Sequence, residues 1–132
     1  MILLDTCAII FAALTPEQMA RKAAEEIARG IETKKLACCD ISLWEMAMLI
    51  SKGRLKPAAD PLTFISHVIT AYNLTVMPIT PEIAILSTDE RLFSHKDPCD
   101  RIIAATALHY KIPLITSDTN LRTLAGLKTI WM

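Results

Sequence analysis

Residues 97–118, DPCDRIIAATALHYKIPLITSD, read as a capped helix followed by a short strand. Asp97-Pro98 supplies an N-cap and a first helical residue: Asp accepts a free amide of the first turn, and the N–H that proline lacks would be unbonded there anyway. Ile103, Ala104 and Ala107 recur at helical spacing and form a buried stripe. Pro113-Leu114-Ile115-Thr116 is an apolar run too short for a helix and matches a strand covered on both faces. A helix that feeds directly into such a strand is the repeating unit of an α/β fold.

The same unit recurs on either side of this stretch. Ile2-Leu3-Leu4 is a buried-strand candidate, and Thr15-Pro16 reads as the cap of a helix with Ala20, Ala23, Ala24, Ile27 and Ala28 inward, stopped by Gly30. Leu36 to Cys39 predicts a second strand, and Ser42-Leu43-Trp44-Glu45 has the spacing of a capping box opening a helix to about Gly53. Asp60-Pro61 starts a helix with Leu62, Ile65, Val68, Ile69 and Tyr72 on one face, ending near Asn73 before the strand Leu74 to Met77. Thr80-Pro81 opens a further short helix, and Leu127 to Trp131 predicts a fifth strand. Right-handed crossovers between such strands give a three-layer α/β/α sandwich with a central parallel sheet, its strand order left open.

The 132 residues, 52% of them apolar, predict a single domain over 1–132. Fourteen basic residues balance fourteen acidic ones, so no global positive field gathers nucleic acid and a polynucleotide would have to be held locally. Cys7, Cys38, Cys39 and Cys99 lack zinc-site spacing, and the adjacent pair is ill placed for a bridge, so reduced thiols are expected. With no basic leader and no apolar run of membrane-crossing length, a cytoplasmic location is expected.

Ligands of open parallel sheets sit beyond the carboxyl ends of the strands, which selects a few acids from the fourteen. Asp5 ends the first strand, Glu45 follows the second, and Asp118 follows the strand at 113–116. Asp100 falls in line with Ile103, Ala104 and Ala107 and should overhang the sheet. Taken singly, each has a structural use, as an N-cap, a capping-box partner or a complement to a helix dipole. Together they would repel one another, and a divalent cation relieves that repulsion. Oxygen donors without paired His or Cys favour Mg²⁺ or Mn²⁺, whose natural reaction is phosphodiester hydrolysis. Asp5, Asp100 and Asp118 would then hold the ion, while Glu45 would ligate or orient the attacking water. Thr6 and Ser117 are candidate donors to a carboxylate or phosphate, with turn and capping duties as the alternative. Arg101 is a candidate phosphate contact or a partner for Asp97 or Glu90. His67, His95 and His109 share no ligand spacing, and Met46, Met48 and Met77 read as core filling.

Leu-Leu-Asp-Thr at 3–6, Ser42-Leu43-Trp44-Glu45, the run His95 to Arg101 with Ala104-Ala105-Thr106-Ala107, and Thr116-Ser117-Asp118 together resemble the PIN-domain family of VapC-type toxins. The resemblance covers essentially the whole chain. It implies a Mg²⁺- or Mn²⁺-dependent endoribonuclease whose four acids are Asp5, Glu45, Asp100 and Asp118, with Asp97 auxiliary. It also implies the toxin of a type II toxin-antitoxin pair, a homodimer silenced by a small antitoxin protein, although some relatives of the domain serve in RNA processing. Cys99 stands where the family usually has an aromatic residue.

Three rival readings remain open at this point. Asp5 at a strand end is a possible phosphoryl-accepting nucleophile, but Asp5-Thr6-Cys7 offers no second aspartate two residues on. A nucleotide-binding module lacks the Gly-rich loop it would need, with only three glycines in the chain. A non-catalytic binding protein would use the same acids purely as caps.

Overall fold

The computed structural model describes residues 1–94 and 97–132, so His95 lies outside the described residues. The central strands are β1 (Ile2–Leu4), β2 (Leu36–Cys39), β3 (Thr75–Met77), β4 (Leu114–Ile115) and β5 (Thr129–Ile130). All four strand pairings are parallel, in the order β3-β2-β1-β4-β5. Leu3 faces Ala37 on one side and Leu114 on the other, which makes β1 the centre. The chain winds outward through β2 and β3, then returns to the far side of β1 for β4. The order therefore reverses between β1 and β4, the kind of switch point at whose carboxyl edge open α/β sheets bind ligands.

Among the described residues seven helices cover the sheet: α1 (Thr6–Leu14), α2 (Arg21–Thr33), α3 (Asp40–Ser51), α4 (Pro61–Ala71), α5 (Pro81–Ser87), α6 (Pro98–Tyr110) and α7 (Thr119–Arg122). Because strand side chains alternate, Leu4 enters a core with Ile9, Ile27, Met46, Phe64 and Val68, while Leu3 enters a second with Ile83, Phe93, Ile103, Ala104 and Leu121. The expected three-layer sandwich is what forms. The predicted stripe of α6 is buried as expected, with Ile103, Ala104 and Ala107 at 1% exposure or less.

The local structure departs from the sequence reading at four places. The segment TCAIIFAAL forms α1, a helix not anticipated from the sequence, because nearly every residue is apolar and no period shows. Thr15-Pro16 begins only a single 3-10 turn over Pro16–Gln18, and the following helix starts at Arg21. Gly30 lies inside α2 and does not end it: a Cβ there would collide with Leu36 of β2, and the helix stops at Lys34 in the left-handed conformation (φ 56°). The capping box at Ser42 is also absent. Cys39 is the N-cap of α3 and makes no side-chain cap bond. Asp60, Thr80 and Asp97 do cap their helices, accepting from the amides of Thr63, Ile83 and Cys99.

Candidate active site

Asp5 occupies the switch point. It follows β1 directly, is 2% exposed, and its amide donates to the Ile115 carbonyl of β4 at 3.0 Å. Although it stands at the N-cap position of α1, its side chain makes no cap bond. Its Oδ2 instead accepts from the Thr116 hydroxyl at 2.7 Å, and that hydroxyl accepts from the Asp118 amide at 3.1 Å. Burial pushes the Asp5 carboxyl up to about 6, against the Thr116 bond, and the charges of Glu45 and Asp118 push the same way as burial. Asp118 keeps its capping duty, accepting from Asn120 and Leu121 at the start of α7.

Glu45, one turn into α3, is half-buried. Burial raises its carboxyl above the ordinary range, hydrogen bonding from the Thr6 side chain opposes this, and the charge of Asp97 adds to the rise. Ser42 leaves its own helix end and contacts the Thr6 hydroxyl at 2.8 Å inside the protein. Glu45 Oε1 is buried with no hydrogen-bond partner among the described residues. A buried carboxylate oxygen in that condition is destabilising unless a cation or water meets it. Asp100 sits half-buried in the first turn of α6, on the side that carries the buried stripe.

Cys7 ties these positions together. Part of its surface is open to solvent, yet loss of hydration among its neighbours pushes its thiol up to about 12, helped by the charges of Asp5, Glu45, Asp100 and Asp118. Coulomb interactions fade with distance, so a single thiol that feels all four acids stands among them. The charges of all four acids singled out from sequence thus bear on this one thiol. Asp97 borders the group: its charge reaches Glu45 and Cys99. Among the described residues, no three His, Cys, Asp or Glu side chains already form a ready-made ion site.

The other candidates are placed as follows. Thr6 joins the group through Ser42 and Glu45, whereas the donor to Asp5 is Thr116, one residue before Ser117. None of the ion pairs among the described residues includes Arg101. His109 packs edge-on to Tyr110, with ring centroids 4.8 Å apart, and His67 lines a recess between α1 and α4. Sequence reasoning missed Thr116, Ser42 and Cys7 as members of the site. The one signal for Thr116 was its place two residues before Asp118 at a strand end. Asp40 follows β2 and has a buried Oδ1 with no partner among the described residues; its Oδ2 accepts from the Ile79 amide, and its charge falls on Cys38 and on Cys39, which also feels Asp5.

Comparison with known proteins matches the PIN domain family over residues 2–127. The chain is 29% identical over 121 residues to Ribonuclease VapC22 of Mycobacterium tuberculosis, covering 92% of this chain and 89% of that protein. Among solved structures it is similar to VapBC2 from Rickettsia felis, crystallised with a DNA fragment from its promoter, at 16% identity and a TM-score of 0.76 over 100% of both chains. It is also similar to a toxin-antitoxin complex from Klebsiella pneumoniae, at 20% identity and a TM-score of 0.66 over 98% of this chain and 96% of that one.

Proposed function

The chain belongs to the PIN-domain family, and from that premise we propose that it is an Mg²⁺- or Mn²⁺-dependent endoribonuclease acting as the toxin of a toxin-antitoxin pair. The observation that carries the reading is that buried Asp5, at the switch point, shares the Thr116 hydroxyl with the backbone of Asp118, while the charges of Glu45 and Asp118 act on its carboxyl. Capping accounts for Asp118 but gives no reason for the other three to gather there. A hard divalent cation fits the donors present: they are carboxylate oxygens, mutually repulsive, and one of them, Glu45 Oε1, is buried without a partner among the described residues.

Asp5, Asp100 and Asp118 would hold the ion, and Glu45 would ligate it or orient the attacking water. When bound, the ion supplies Lewis acidity toward a phosphoryl oxygen and makes water acidic enough to serve as nucleophile. Thr6 braces the helix of Glu45 through its bond to Ser42, and Arg101, next to Asp100, is a candidate contact for a substrate phosphate. The similarity to a toxin-antitoxin complex supports a small antitoxin protein as partner, and a homodimer is part of the same reading. Exposed Trp44, Leu62 and Ile85 offer the apolar surface that protein partners cover. No helix among the described residues is long and apolar enough to cross a membrane.

The test is an RNA cleavage assay on wild type and Asp5→Asn with Mg²⁺, Mn²⁺ or EDTA, each sample melted in parallel. Metal-dependent cleavage by wild type is expected, and Asp5→Asn should stay folded while its rate falls at least about a hundredfold, since it lacks a ligand charge. No cleavage by wild type, together with melting midpoints indifferent to metal, would instead identify a binding protein.

A further inference from the structure

We propose that Thr116 is a positioning residue whose one hydroxyl fixes the Asp5 carboxylate and the Asp118 backbone together, and so sets the affinity of the site for a divalent cation. The proposal rests on the nuclease reading above. A hydroxyl carries one proton and two lone pairs. Because the Asp118 amide donates to Thr116 Oγ1 at 3.1 Å, that oxygen is the acceptor there, and its own proton is committed to Asp5 Oδ2 at 2.7 Å. Both directions of the relay are thereby determined.

The hydroxyl is well anchored. Thr116 has no exposed surface, so water has no route to replace it, and its branched Cβ restricts rotation about χ1. Its amide donates to the Ile130 carbonyl of β5 at 3.2 Å, while the preceding carbonyl, of Ile115, holds the Asp5 amide. Sheet pairing on both sides therefore places the oxygen, not a loose loop. The result is that Asp5 has Oδ2 tied back toward β4, and the turn leading to Asp118 is held against the same point. Two acids whose charges oppose each other are kept at a set separation before any ion arrives. Outer residues that orient a ligand in this way typically change metal affinity ten- to a hundredfold when removed.

The test is Mn²⁺ titration calorimetry on the wild type, Thr116→Val and Thr116→Ser, with melting in EDTA to establish folding. Valine keeps the branched shape and deletes the hydroxyl, whereas serine keeps the hydroxyl and deletes the methyl. Thr116→Val should bind Mn²⁺ about ten- to a hundredfold more weakly, and Thr116→Ser should stay within a few-fold of wild type. Equal affinity in a folded Thr116→Val protein overturns the proposal, as does a serine variant as weak as the valine one. If the valine variant does not fold, Thr116→Cys, a weaker donor, should bind less tightly than serine, and equal binding overturns the proposal. A wild type that binds no Mn²⁺ rejects the nuclease reading and this proposal with it. Normal wild-type binding alongside an unaffected valine variant rejects the positioning role alone.

Discussion

Asp5 gives up its water when the sheet closes and keeps a single strong side-chain donor, Thr116. Its carboxyl, about 6 against an ordinary 3.8, binds a proton more tightly in the folded chain than in the unfolded one. This contribution to stability is complete below about pH 3.8 and is lost as pH rises through about 6. The shift corresponds to on the order of 3 kcal/mol, and the raised Glu45 acts in the same direction. Metal-free Asp5→Asn, which keeps an acceptor for Thr116 but cannot ionise, should therefore gain on wild type between pH 4 and 7. Melting both proteins across that range in EDTA checks this, and Mn²⁺ should narrow the gap at the upper end by binding only wild type tightly. The four candidate acids stood out in the sequence because Asp5 and Asp118 follow strands, Glu45 opens the helix after one, and Asp100 shares a helical stripe with buried residues. Their hydroxyl supports did not, since Thr116 reads as the last residue of a strand and Ser42 as a cap until the fold shows what each one faces.

At the scale of elements, caps and prolines carried the most information. Asp60-Pro61, Thr80-Pro81 and Asp97-Pro98 each begin a helix as their chemistry requires. Uniformly apolar segments carried the least: α1 is apolar on its half-exposed side as well as at buried Ala8 and Ile9, so the period that betrays a surface helix is missing. Gly30 shows the complementary failure. A glycine at a helix end and a glycine at a close helix-strand contact look alike in sequence, and only the proximity of Leu36 tells them apart. Gly30→Ala should improve helix propensity yet destabilise the protein by about 1–2 kcal/mol, because Leu36 must leave its place in the core. A denaturant midpoint lower than wild type with an unchanged slope is the expected result.

Over the whole molecule the charges cancel, fourteen against fourteen, so RNA gains little from a long-range field. A protein that neutralises many phosphates loses about a thousandfold or more in affinity between 50 and 200 mM salt. For this chain the loss should be about tenfold or less, measured as the apparent KM for RNA across that salt range. The topology carries a consequence of another kind. β1 is made first, but its neighbour β4 and the Thr116 hydroxyl that steadies Asp5 come 111 residues later. A growing chain can pair β1 with β2 and seat α1 and α2 early, yet half of the acid cluster is still unmade. Synthesis thus acts as a clock: a prematurely released fragment ending before β4 has neither Thr116 nor Asp118, and under the proposed function it should cleave no RNA.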